Sequence, residues 1–213
     1  MLAAILVAVS LHVAARADNI APAIDAFNQA FASVNDYTYK LHSREGLGSQ
    51  TQDRVYDYWF MKPHYAKTYV ESGNGQGSGG VWNGGAQVSV HQGGILAAIR
   101  VDVDLHDPRA VSLRGMTIPD GLMQNVVATY ATTTGKLIQE DGGTLQGVPT
   151  DRLELDVADP TTTHGVTKMI LYLNQNTHFP LRQLLYTGDT IVVDQTFIDV
   201  RTNVGLTQND FPF

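Results

Sequence analysis

Asp102, Asp104 and His106 occupy alternate positions in Val101-Asp102-Val103-Asp104-Leu105-His106-Asp107, a spacing that places two carboxylates and an imidazole on one face of a strand. Such a cluster has the chemistry of a cation site or a general base. Alternating acids beside Val101, Val103 and Leu105 equally describe the solvated face of an ordinary strand. The seven histidines include no His-Glu-x-x-His or other ligand-like pair, and His42, His64, His91, His106, His164 and His178 fall singly in strand or loop contexts. No Gly-x-Ser-x-Gly elbow is present. Gly73, Gly75, Gly77 and Gly79 neither open a helix nor lead into Gly-Lys-Ser/Thr, so a phosphate cradle is not expected. Cysteine is absent, which excludes disulfides, thiolate zinc sites, a cysteine nucleophile and a lipid-modified N-terminal Cys. Arg114, within Ser112-Leu113-Arg114-Gly115, could anchor an acidic headgroup or a partner's carboxylate, or be a surface arginine at a turn. A hydrolase would rest on scattered Asp and His alone. The expectation is therefore no catalytic set, no metal and no cofactor.

Lys+Arg 14 against Asp+Glu 21 gives a formal charge of −7, so the basic footprint that phosphate backbones require is missing and no nucleic-acid partner is expected. Charged residues are 16% and hydrophobic ones 43% of the chain, a composition that folds. The first residues, MLAAILVAVSLHVAA, run into Ala15-Arg16-Ala17 and Asp18, the pattern of a secretory signal with an A-x-A cleavage site. A bilayer span needs about 20 apolar residues, more than this run supplies. Residues 1–17 are expected to be a signal peptide and 18–213 one domain working in the periplasm. The alternatives are an uncleaved N-terminal membrane anchor and a buried helix.

The elements that must position any site begin with an amphipathic helix. Ile20, Ile24, Phe27, Phe31 and Val34 recur at steps of four and three, with Asp18 or Asn19 placed to cap it. From Tyr37 the period becomes two, and strand signals cover Tyr37–Leu41, Arg54–Lys62, His64–Glu71, Gln87–His91 and Leu96–Leu105. SGNGQGSGG at 72–80 reads as a hairpin loop. A second helix is predicted over Pro119–Tyr130, with Leu122, Val126, Val127 and Tyr130 as its stripe. Further strands are predicted at Lys136–Glu140, Arg152–Val157, Thr167–Leu173, Leu181–Tyr186 and Ile191–Arg201, together an antiparallel meander.

The faces of these strands differ. Arg152, Glu154 and Asp156 alternate with Leu153, Leu155 and Val157, giving one wet and one buried face. In Val55-Tyr56-Asp57-Tyr58-Trp59-Phe60-Met61 and Met169-Ile170-Leu171-Tyr172-Leu173 both faces carry large apolar groups. Two short helices cover about one face of such a sheet, so a second apolar face needs a cover. A closed barrel or sandwich would provide it; a greasy concave surface holding a lipophilic ligand is the other solution.

The order of helix, Asp36-Tyr37-Thr38-Tyr39, Phe60-Met61-Lys62-Pro63, Val81-Trp82-Asn83-Gly84 and Leu173-Asn174-Gln175-Asn176-Thr177-His178-Phe179-Pro180-Leu181-Arg182 resembles the periplasmic lipoprotein-carrier superfamily, the outer-membrane lipoprotein-sorting proteins of bacteria. The ending Phe197 to Phe211, with Asn203, Leu206 and Phe211 in an Asn-x-x-Leu-x-x-x-x-Phe pattern, is similar to a related family of exported proteins. The resemblance spans most of residues 20–211. It implies a mainly β, α+β fold: a strongly bent antiparallel half-barrel whose N-terminal helix and second short helix cover a hydrophobic concave face that accepts acyl chains. On that basis Tyr56, Tyr58, Phe60, Leu171 and Leu173 are the expected ligand surface, and Phe27 and Phe31 the lid. The expected function is a non-enzymatic binding protein for a lipid or an acylated protein, in lipid or lipoprotein transport across the cell envelope. The alternative is an interaction module that receives the apolar segment of a partner, such as an envelope membrane protein, in the same concavity.

Overall fold

In the computed structural model, which describes residues 21–212, there are two helices and eleven strands; the helices and ten of the strands follow the predicted order, and the short strand Gly79–Trp82 is an addition to it. The strands are β1 (Asp36–Leu47), β2 (Gln50–Met61), β3 (Tyr65–Gly73), β4 (Gly79–Trp82), β5 (Gln87–His91), β6 (Arg100–Asp104), β7 (Gly135–Leu145), β8 (Val148–Val157), β9 (Lys168–Asn174), β10 (Pro180–Thr187) and β11 (Thr190–Thr202). They form one antiparallel sheet in the order β6-β5-β4-β3-β2-β1-β11-β10-β9-β8-β7. The sheet is open, with β6 and β7 at its edges, so the architecture is a half-barrel rather than a closed barrel. Register shifts within the β1–β11, β2–β3, β9–β10, β10–β11 and β7–β8 pairs supply local bends, because a bulged strand curves and twists more strongly. At the β1–β11 shift, Asp199 takes up a left-handed backbone with φ 54°.

β1 and β11 lie at the centre while β6 and β7 lie at opposite edges, so the chain between them must cross the sheet. Residues 105–134 make that crossing and carry α2 (Met123–Thr132). A short 3-10 turn, Pro119–Gly121, precedes α2, and Leu122 between them is extended (ψ 131°). The predicted helix 119–130 is thus two pieces, although Leu122, Val126, Val127 and Tyr130 are all buried. The break accommodates Tyr58: a Cβ on Gly121 would stand 2.3 Å from its hydroxyl.

Helix α1 (Pro22–Ala32) buries Ala23, Ile24 and Phe27 against the concave face. The cap predicted at Asp18 or Asn19, like the predicted signal peptide, lies outside the described residues. At the start of the helix, Ala23 N donates to Gln139 Oε1 at 2.9 Å, so a strand side chain satisfies an amide that a local cap usually takes. Lys62 Nζ donates to Phe31 O at 3.0 Å at the other end.

The strand predicted at Leu96–Leu105 is shorter. Its partner β5 ends at His91, which pairs with Arg100, so residues before 100 have no ladder to join. Gly94–Leu96 instead form a 3-10 turn, leaving Ile95 exposed.

The second apolar face of β2 is the convex one, where Val55, Trp59 and Met61 are half-buried. The C-terminal segment provides part of its cover. Phe211 is buried beside Tyr65, and Lys67, whose Nζ lies 4.4 Å from the Trp59 ring centroid, donates to Asp210 O at 2.6 Å. Asp36 fixes the start of that segment by accepting from Val204 N at 2.7 Å. Elsewhere the convex face carries ion pairs, including Lys40–Asp57 at 2.9 Å and Arg182–Asp194 at 2.8 Å.

Candidate functional site

The concave face has two unlike ends because inward positions of neighbouring strands stand opposite one another. At one end the inward pairs are aromatic. Tyr37 opposes Phe60 and Tyr39 opposes Tyr58, each pair with ring centroids 4.9 Å apart. Phe31 of α1 lies over Tyr37 and Phe60, and Phe27 stacks on Phe31 at 5.4 Å while meeting Phe179 edge-on at 5.9 Å. The tyrosine hydroxyls hold the crossing segment: Tyr37 Oη donates to Gln124 Oε1 (2.8 Å) and accepts from Met123 N (3.2 Å), and Tyr39 Oη donates to Gly121 O (2.5 Å). Burial pushes the phenols of Tyr37, Tyr39 and Tyr58 well above their ordinary range.

Towards the β1–β2 hairpin the inward row turns polar. Register places Arg54, Ser43, Gln195 and Gln183 side by side on β2, β1, β11 and β10, and the row continues to Leu171 and Leu153. The following row contains Glu45, Val193, Leu185 and Met169. Ser43, Glu45, Gln183 and Gln195 are buried.

Over these rows lies the irregular segment 105–118, held by polar tethers. Glu45 Oε2 accepts from Arg114 N at 2.9 Å and Gln52 Oε1 from Leu113 N at 3.2 Å. The Arg114 guanidinium donates to Gly46 O (2.9 Å) and His164 O (3.0 Å), so this arginine joins the segment to the end of β1 and to the loop between β8 and β9. Two cavities remain beneath. One, of about 150 Å³, is bounded by Ser43, Glu45, Arg54, Tyr56 and Tyr58. The other, of about 280 Å³, lies beside α2 against Val126, Met169, Gln183, Leu185 and Val193. Met116 projects between them and contributes to both walls.

Of the residues expected to form the ligand surface, Tyr56 and Tyr58 line the smaller cavity. Phe60, Leu171 and Leu173 belong to the buried core around the helices. Phe27 is 1% exposed and Phe31 half-buried, both on α1 and packed between that helix and the sheet. Asp102 and Asp104 are exposed on edge strand β6, and Asp104 Oδ1 accepts from His106 N at 2.8 Å, a local turn contact. Among the described residues no three His, Asp or Glu side chains gather as a metal site. Sequence reasoning missed Ser43, Glu45, Gln183 and Gln195. The available signal was a polar residue inside a buried alternation: Ser43 continues Tyr37-Tyr39-Leu41, and Gln195 sits between Val193 and Phe197.

No protein-family model and no curated protein matches the chain. Solved structures do. An uncharacterised conserved protein from Thermus thermophilus superposes with a TM-score of 0.59 at 11% identity, over 89% of this chain and 90% of that one. The lipoprotein LppX of Mycobacterium tuberculosis superposes with a TM-score of 0.50 at 12% identity, over 87% of this chain and 96% of that one. A LolA superfamily protein from Nitrosomonas europaea matches with a TM-score of 0.45 at 11% identity, over 90% and 96% of the two chains. The chain shares the open antiparallel half-barrel fold of the Thermus protein and of LppX. At such identities the likeness is one of architecture, and a fold hosts many functions.

Proposed function

We propose that this chain is an exported, non-enzymatic binding protein that holds a lipid or the acyl chain of an acylated protein between its concave sheet and the segment 105–121. One observation carries the reading: that segment pairs with no strand, is fastened through Arg114, Leu113 and Gly121, and roofs two cavities walled by apolar and polar side chains. A roof held by a few hydrogen bonds can lift without breaking the eleven-stranded ladder, since each such bond contributes only about 0.5–1.5 kcal/mol net when neutral and about 1.5–3 kcal/mol where Glu45 or the Arg114 guanidinium takes part. Tyr56 and Tyr58 offer apolar bodies with polar tips to what enters. The periplasmic setting rests on the signal-like residues 1–17, and residues 18–213 act as one domain.

Organic extraction of the protein purified from a bacterial envelope fraction, followed by lipid mass spectrometry, tests this. A stoichiometric lipid is the expected result. Protein that carries no lipid, takes up none from vesicles and co-purifies with a stoichiometric protein partner overturns it in favour of an interaction module.

A further inference from the structure

Gln183 and Gln195 stand directly opposite each other on β10 and β11, and are 4% and 3% exposed. Their amide nitrogens have neighbours. Gln183 Nε2 lies 3.5 Å from Tyr130 Oη, and Gln195 Nε2 lies 3.4 Å from Ser43 Oγ and 3.8 Å from the Met116 sulfur. Their carbonyl oxygens have no hydrogen-bond partner among the described residues. A buried acceptor left dry costs about 1–3 kcal/mol, so two adjacent ones are a poor solution for a core that leucines could fill. Each glutamine also reaches open volume: Gln195 borders the smaller cavity and Gln183 the larger.

The missing partner must supply a donor. A plain alkyl chain has none, and carboxylate and phosphate oxygens only accept. A hydroxyl donates and accepts, and therefore satisfies a glutamine whichever way its carboxamide is turned. Apolar side chains flank the pair, with Leu41, Val90 and Ile118 on one side and Val126, Leu185 and Val193 on the other. Resting on the lipid-holding reading above, we propose that Gln183 and Gln195 form a polar subsite that selects a lipid whose chain carries a hydroxyl over the unsubstituted chain of the same length.

Displacement of a fluorescent fatty-acid probe from the full chain by stearate, 3-hydroxystearate and 12-hydroxystearate tests the subsite with the hydroxyl near the head or in mid-chain. At least one hydroxy acid should bind about fivefold more tightly than stearate, the worth of one net hydrogen bond. Gln183→Met and Gln195→Met keep the volume and remove the carboxamide; in each, the ratio of hydroxystearate to stearate affinity should fall to about one, whatever the change in stearate affinity itself. If stearate and both hydroxy acids bind the native protein equally, the oxygens are served by water and the subsite is disproved. If the probe itself does not bind, the lipid-holding reading fails and the inference falls with it. Should a variant not fold, the comparison of the three acids on the native protein decides alone.

Discussion

The aromatic end and the polar end of the concave face are built from the same strands, yet they solve opposite problems. Tyr37, Tyr39, Phe60 and Phe27 are buried with their rings in contact with aromatic neighbours, and each of the two phenols at the roof has a partner on the crossing segment. Around Ser43, Gln195 and Gln183 there is space, with two buried carbonyl oxygens unpartnered among the described residues. The first end stabilises the fold; the second gives up packing density, as binding sites commonly do. Their junction lies at Tyr56 and Tyr58, which meet edge-on with ring centroids 5.9 Å apart.

Alkali should break the aromatic end most severely. Tyr37, Tyr39 and Tyr58 resist ionisation in the fold because of burial, whereas the unfolded phenols ionise near their ordinary value of about 10. The native state therefore holds more protons above that pH, and stability falls by about 1.4 kcal/mol per pH unit for each of them. Below pH 10 this contribution is fully present. Absorbance at 295 nm against pH should show these tyrosines ionising only in the unfolding step, in contrast to the more exposed ones; smooth titration of all nine tyrosines before unfolding would disprove the dry packing of this end.

Truncation comes next. Phe27→Ala removes a ring packed between Phe31 and Phe179 and should cost about 3–5 kcal/mol in urea unfolding. Tyr56→Ala, at the cavity, should cost clearly less and act mainly on ligand retention. Equal losses of stability would erase the distinction between the two ends. At the junction, Gly121→Ala forces a methyl against the Tyr58 hydroxyl, and overpacking of this kind costs about 1–3 kcal/mol. A thermal melt unchanged by that substitution would show that the crossing segment does not press on Tyr58. A stability effect no larger than that of Gly121→Ala should come from Arg114→Ala, which removes two guanidinium hydrogen bonds to backbone carbonyls that water can replace at this partly exposed site. Its sharper signature is faster release of a bound fluorescent fatty acid; unaltered release would mean that Arg114 does not hold the roof.

Much of this architecture is written in periodicity. The stripe of α1, the alternation of β1 and β8 and the hairpin at Gly73 to Gly79 follow from local rules, because side-chain spacing on a helix or strand depends on the residues within it. Even the error at Leu96–Leu105 is instructive. Its apolar residues suit a strand, but a strand needs a partner, and β5 ends too early to give one.

By itself, the sequence determined the kinds of element, their order and the two-sidedness of each strand. It left open which side of β2 would be concave, since Tyr56-Tyr58-Phe60 and Val55-Trp59-Met61 are both apolar enough to bury. Tertiary structure decided that through the central pairing of β1 with β11, which sends the 105–134 connection across one face and the C-terminal segment onto the other. It also made neighbours of Gln183 and Gln195, and of Gln139 and the first turn of α1. Hydrogen-bond partners that lie 116 residues apart in the chain leave no periodic trace, because the spacing that unites them is that of the sheet and not of the sequence.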